Sequence, residues 1–408
     1  MSYQDALKKL EKYQQEHLLK YYEELSVGEQ EKLLAQIDEI DFGVLASLKS
    51  KSIIAGKGEI KPLKAMEIGD IVHRKDEFTA VGIEAIKQGK VGAVLLAGGM
   101  GTRLGSENPK GMYNIGLNKP VYIFERLITN MLDVVKQAGV FMPFYIMTSD
   151  KNHDTTITFL KKHNYFGYDE NYISFFKQEM APASDYEGNV LLESKDTIST
   201  SPNGNGGWYI SMNNCGIADA VKARGIEWLN IFAVDNVLQR ICDPCFIGAT
   251  IKMDCIAGAK VVRKNARDEK IGYICLEDDR PSIIEYYDMT DELMDAKDEK
   301  GEPAYNFGVI LNYLFRVESL DGVLAKKLPL HVVEKKITCL DAEGSVIKPD
   351  APNGYKYESL VLDMIHELDS CLPFEVVREY EFAPIKNMIG VDSIESARKL
   401  CLDCGVAL

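Results

Sequence analysis

A wound α/β fold with a mixed, mostly parallel sheet is predicted by three features of the sequence. From residue 91 onward the short apolar runs VGAVLLAGG, PFYIMTS, YISFFKQ, LNIFAVDN and GAKVV are separated by helical stretches and turns, the rhythm of strands joined by crossovers. Between the first two runs, Phe124, Leu127, Ile128, Met131, Leu132 and Val135 recur at helical spacing and predict a helix over about residues 120–138. Beyond residue 265 the runs IGYICLE, SIIEYYD and FGVILNYLFRV come closer together, which points to antiparallel additions on the parallel sheet.

The segment ahead of the sheet reads as helical. Leu7, Leu10, Tyr13 and Tyr21 fall near helical spacing among Lys, Glu and Gln, as one face of an amphipathic helix requires. Ser26, with Glu29 three residues later, is a capping-box pattern, and Leu33, Leu34, Ile37 and Ile40 continue the apolar face of a second helix. The expected division is a mainly helical domain over 1–88, the sheet-bearing domain over 89–378 and a small C-terminal region over 379–408.

Composition excludes several classes. With 408 residues, 46% of them hydrophobic, burial is not limiting, and a compact soluble enzyme or binding protein is expected. The formal net charge of −15 disfavours nucleic acid and anionic membranes as partners; any phosphate site must concentrate its cations locally. No stretch reaches the roughly 18 apolar residues of a membrane span. The amino terminus is too acidic for a transit peptide and lacks the apolar core of a signal peptide, so a cytoplasmic location is expected. Nine cysteines then read as reduced thiols. Cys242/Cys245 and Cys401/Cys404 form C-x-x-C pairs that could be halves of a zinc site, although helix or turn roles compete.

In wound sheets, ligands sit beyond the carboxyl ends of the strands, so the loops there carry the chemistry. The strongest is LLAGGMGTRLGSENPKGM: an apolar strand ends at Ala97 and opens into Gly98, Gly99, Gly101 and Gly105, with Thr102, Arg103 and Lys110 among and after them. Such glycines let backbone amides approach an anion, and the two cations suit a polyphosphate gripped along its length. A Walker loop would need Gly-Lys-Ser/Thr, and a dinucleotide fingerprint would need Gly or Ala where Leu104 stands. SPNGNGGWY, with Gly204, Asn205 and Gly206, predicts a tight loop with exposed amides. Asp235 follows the run LNIFAV and could bind Mg²⁺ as a hard oxygen ligand or cap a turn.

LLAGGMGTRLGSENPKGMYNIGL closely resembles the nucleotide loop of the UDP-N-acetylhexosamine pyrophosphorylases. The resemblance continues in order through YIMTS, FFKQEMAPA, SPNGNGGWY, VDNVLQRICDPCFIG, GAKVV, IIEYYD, YNFG, IKPDAPNGYKYE and EFAPIKN. It implies a Rossmann-like nucleotidyltransferase core that joins UTP to a hexosamine 1-phosphate, above all GlcNAc 1-phosphate, giving a UDP-sugar and pyrophosphate with Mg²⁺ as cofactor. The alternatives are the same chemistry on glucose 1-phosphate or on a broad range of sugars and, more remotely, a non-catalytic UDP-sugar sensor.

Residue roles are carried by the same resemblance. It sets Ala97, Gly98, Gly99 and Gly204 against the nucleotide, Gly101, Thr102, Arg103 and Lys110 around the phosphates, and Gln178 on uracil. An amide that both donates and accepts suits a pyrimidine edge. Asn205, Gly206, Glu285 and Asn306 fall to the sugar, Asp235 to the metal, and Lys386 to the phosphates, with Lys348 and Lys356 as lesser candidates. Phe307 and Val309 depart from the small or polar residues of the better-known hexosamine enzymes near the sugar.

Overall fold

The structure, a computed structural model, describes residues 1–45, 58–326 and 328–408. These form two compact units, each assembled from separated stretches: 1–45, 179–207 and 328–361 in the first, and 58–178, 208–326 and 362–408 in the second.

In the first unit the helices Tyr3–Tyr13 and Val27–Glu39 are both entered through capping boxes, Ser2 with Asp5 and Ser26 with Glu29, which satisfy amide donors that the first turn leaves free. The first helix stops at Tyr13, where Gln14 turns left-handed with φ 59°. Tyr21 therefore lies outside the helix predicted to include it. Leu10, Leu33 and Ile37 are buried with Val190, Leu192, Ile198 and Tyr357, which come from later stretches of the chain. Those stretches supply short two-stranded sheets, among them Met180–Pro182 with Thr200–Pro202 and His331–Lys335 with Gly354–Glu358.

The second unit is built on one ten-stranded sheet. In chain order its strands are β1 (Ile60–Pro62), β2 (Val91–Leu96), β3 (Phe144–Thr148), β4 (Ile173–Lys177), β5 (Trp228–Ala233), β6 (Ala257–Arg263), β7 (Tyr273–Glu277), β8 (Arg280–Ile284), β9 (Phe307–Arg316) and β10 (Cys371–Glu375). The parallel part runs β5-β2-β3-β4. β9 joins it antiparallel to β5 and carries β6 and β7, also antiparallel. β8 pairs antiparallel with β7, while β10 lies parallel to β6. The antiparallel additions expected after residue 265 are thus present.

β2 and β3 are buried along their whole length, as strands covered on both faces must be. The predicted helix spans Ile123–Ala138, starting three residues later than expected, and closes on Gly139 with φ 74°. It buries Phe124, Leu127, Ile128, Met131 and Val135; burying each such side chain contributes about 1.5–3 kcal/mol. Leu132 is only partly buried, at the margin of the same core. Among the described residues no helix is long and apolar enough to cross a membrane.

Candidate active site

The chain passes from β2 outward to β3 and β4, then returns to place β5 on the other side of β2. That reversal makes the carboxyl edge of β2 and β5 a topological switch point, where the crossovers diverge and leave a crevice for ligand. The loop after β2 begins at Ala97, and Asp235 lies two residues beyond β5.

The glycine-rich loop is folded back on itself. Gly101 N donates to Asn108 O at 2.8 Å, Ser106 N to Gly101 O at 3.1 Å, and Lys110 N to Gly99 O at 3.2 Å. Buried Leu104 pins the single turn Thr102–Leu104, leaving Thr102 and Arg103 exposed. Asn152, fully buried beyond β3, donates from Nδ2 to Ala97 O at 2.9 Å. In the sequence Asn152 carries no signal beyond its position just past an apolar run. It braces the start of the loop from below.

Gln178 follows β4 and is buried, with its backbone N–H donating to Thr148 O at 2.7 Å. Its side chain lies over Gly98: a Cβ at residue 98 would stand 2.3 Å from Gln178 Nε2. Gly98→Ala is therefore expected to displace the end of a flexible side chain and leave the backbone in place. The expected result is a KM raised about tenfold for a substrate that rests on the loop, the equivalent of one hydrogen bond, with little change in the melting temperature. Steady-state kinetics beside thermal unfolding would check it.

Lys110 begins the turn Lys110–Met112, and its Nζ lies 3.5 Å from Asp235 Oδ2. Burial pushes the Lys110 ammonium toward losing its proton; Asp235 opposes this, while Arg103 and Lys386 reinforce it. These four side chains therefore share one electrostatic neighbourhood. Lys386 is delivered by the C-terminal stretch, where Ile385 N donates to Asp235 O at 2.9 Å, and its Nζ is held 2.9 Å from Asp392 Oδ2.

Glu285 and Asn306 lie on the flank of this cluster. Tyr273 of β7 is opposite both Ile284 and Gly308, and Asn312 of β9 is opposite Phe232 of β5. The register therefore carries residues 285 and 306 past the carboxyl end of β5. Gly204, Asn205 and Gly206 belong to the first unit. Its loop is more internally bonded than the sequence suggested: Gly206 N donates to Ser359 O at 2.9 Å, and Asn205 Oδ1 accepts from Val361 N at 2.9 Å.

A sequence model of the UTP–glucose-1-phosphate uridylyltransferase family matches residues 47–397. The chain belongs to this family. It is similar to UDP-N-acetylhexosamine pyrophosphorylase-like protein 1 of Mus musculus, at 35% identity over 95% of this chain and 81% of that protein. It is likewise similar to UDP-N-acetylglucosamine pyrophosphorylase of Saccharomyces cerevisiae, at 35% identity over 96% of this chain and 88% of that protein. Among solved structures, a putative UDP-N-acetylglucosamine pyrophosphorylase from Entamoeba histolytica superimposes with a TM-score of 0.76 at 30% identity, covering 83% of this chain and 86% of that one.

In this family member the C-x-x-C cysteines Cys242 and Cys245 are both buried, and burial pushes their thiols up to about 12 and about 11. Both lie in the apolar core of the second unit, where a free cysteine packs as a small hydrophobe. Cys401 is buried on the helix Ile394–Asp403, and Cys404 follows that helix as its C-cap.

Proposed function

We propose that the chain transfers the uridylyl group of UTP to GlcNAc 1-phosphate, releasing pyrophosphate and UDP-GlcNAc by direct in-line displacement. The observation that carries this reading is the grouping of Asp235, Arg103 and Lys386 about Lys110 at the switch point, beside a glycine loop covered by Gln178. The names of the relatives supply the sugar.

Two anions must meet for this reaction, and at an effective dielectric of about 20 two unit charges 4 Å apart repel by about 4 kcal/mol. Lys110, Arg103 and Lys386 would offset that repulsion and take up charge as pyrophosphate leaves. Gln178 would read uracil through paired donor and acceptor contacts. Ala97, Gly98, Gly99 and Gly204 are proposed for the nucleotide, Gly101 and Thr102 for the phosphates, and Asn205, Gly206, Glu285 and Asn306 for the sugar.

The donor set fits Mg²⁺ in one mode. No group of three or more His, Cys, Asp or Glu side chains able to hold a metal occurs among the described residues. A single carboxylate, Asp235, beside a phosphate site suits an ion that keeps its waters and takes substrate oxygens as its other ligands. When bound, it would supply charge neutralisation on the phosphates. A cytoplasmic site of action belongs to the same proposal.

The test is pyrophosphate release from UTP and Mg²⁺ with GlcNAc 1-phosphate, GalNAc 1-phosphate or glucose 1-phosphate offered separately. Preference for GlcNAc 1-phosphate is expected. Preference for glucose 1-phosphate would keep the chemistry and overturn the sugar, and silence with all three would overturn the reading.

A further inference from the structure

Lys260, in the middle of β6, has no exposed side-chain surface. Its ammonium is nevertheless fully engaged: Nζ lies 2.6 Å from Glu381 Oε2, 3.1 Å from Asp243 Oδ2 and 3.0 Å from Arg240 O. Three donors thus meet three acceptors. Burial alone would favour the neutral amine, but the two carboxylates outweigh it and hold the proton more firmly than on an ordinary lysine. An ion cluster of this kind contributes little net stability compared with apolar packing, which leaves its presence in the core to be explained.

What the cluster holds is informative. Arg240 and Asp243 end the loop that leaves β5 through Asp235, and Glu381 precedes the stretch that delivers Lys386. The two segments are joined directly as well. Asn236 Nδ2 donates to Glu381 O at 2.8 Å, and Ala383 N donates to Asn236 Oδ1 at 2.9 Å. Val237 N and Ile385 N donate to Ala383 O and Asp235 O at 3.3 and 2.9 Å. Beneath them, buried Asn312 donates to Gln239 Oε1 and Arg240 O, and Gln239 donates to Ala233 O and Asn236 O.

The pairing of β6 with β9 is interrupted at Lys260. Ala259 is opposite Tyr313 and Val261 is opposite Val309, so Ile310–Asn312 bulge out against Lys260 alone, with Leu311 at φ 53°. A leucine held left-handed costs about 1–2 kcal/mol, and such strain persists where the surroundings over-determine it.

We propose that Lys260 is a positioning residue for uridylyl transfer: through Glu381 and Asp243 it fixes the Asp235 loop and the Lys386 segment in one register. The inference rests on the proposed function, and acts through Lys386 without contact to substrate. Lys260→Met would leave buried carboxylates short of a cation and can fail to fold, so Glu381→Ala carries the test, because Lys260 then keeps Asp243.

Glu381→Ala should lower kcat about 30-fold while leaving KM for UTP within about threefold, measured well below its melting temperature. Glu381→Gln, which restores an oxygen acceptor, should recover most of the loss. In a double-mutant cycle, Glu381→Ala combined with Lys386→Ala should be no slower than Lys386→Ala alone. If the wild type is active and Glu381→Ala keeps its kcat, or if the two losses multiply, the inference falls while the function stands. If the wild type releases no pyrophosphate with any sugar 1-phosphate, the function falls and this inference with it.

Discussion

Lys110→Ala is expected to lower kcat/KM for pyrophosphate release by about 10³-fold, the upper range for removing one preorganised charge donor from a transition state, without lowering the stability of the fold. The retained stability is the more telling outcome. The Lys110 ammonium is largely buried, its carboxylate partner Asp235 stands 3.5 Å away, and the charges of Arg103 and Lys386 oppose it. Without a bound anion the burial of this charge, with Arg103 and Lys386 after it, strains the free protein more than Asp235 relieves it. Alanine relieves that strain, so unfolding midpoints should hold or rise as turnover collapses, the signature of a residue retained for activity at a cost in stability. A Lys110→Ala protein whose rate stays within about tenfold of the wild type would remove Lys110 from the phosphate site.

The pH dependence follows with a definite sign. The proton affinity of Lys110 is lowered by burial first and by Arg103 and Lys386 after it. In the free enzyme it therefore discharges at a lower pH than an ordinary lysine, and kcat/KM, which reports the free enzyme, should fall on the alkaline side below the usual lysine range. Because the folded pKa lies below the unfolded one, the charged form costs stability below the folded pKa. That cost is relieved as pH rises from the folded toward the unfolded value. Wild type minus Lys110→Ala isolates both effects, and the alkaline limb due to Lys110 should be missing from the residual rate of the variant.

The parallel sheet was legible because its strands are continuous apolar runs broken by loops with unusual chemistry. β2 and β5 end within LLAGG and AVDN, at Leu96 and Ala233, so Gly98 and Asp235 could be placed just past strand ends from pattern alone. The capping box at Ser26 is equally local. Interleaving was not legible. The pattern along the chain predicts contiguous spans at 1–88, 89–378 and 379–408, whereas the stretches 179–207 and 328–361 are compact with the first helices, and the helix Ile68–Lys87 belongs with the sheet. Periodicity reports which face of an element is buried, not what covers it. Pairings such as Val332 with Tyr357 or Ala181 with Ser201 join two-sided, polar-rich strands whose register sequence specifies weakly. β10 escaped for a related reason: CLPFE carries a proline in a strand that pairs parallel to β6, against the usual reading of such a run. Glu381 and Lys260 were invisible as a pair, since nothing along the chain marks residues 121 positions apart as one buried cluster.

Gly204→Ala should destabilise the first unit by about 3 kcal/mol or more, and the cause is backbone where the Gly98→Ala effect is side chain. Gly204 sits at φ 90°, and a Cβ there would stand 2.2 Å from Ser359 O and 2.8 Å from Ser359 N. Neither atom can swing aside as the end of a glutamine can. Ser359 N already donates to Asn203 O at 2.7 Å and Ser359 O already accepts from Gly206 at 2.9 Å, so relief of the clash must break bonds on both sides of the glycine. The left-handed conformation alone costs an alanine about 1–2 kcal/mol, and overpacking adds about 1–3 kcal/mol. Gly139→Ala separates the two terms, because Gly139 has φ 74° with nothing within 4 Å of an added Cβ and should lose only the conformational part. Denaturant midpoints for the two variants provide the comparison. Equal losses would mean that residues 359–361 yield to the methyl group, and the loop would then owe its shape to the glycine's dihedral freedom, not to the close approach of the two backbones.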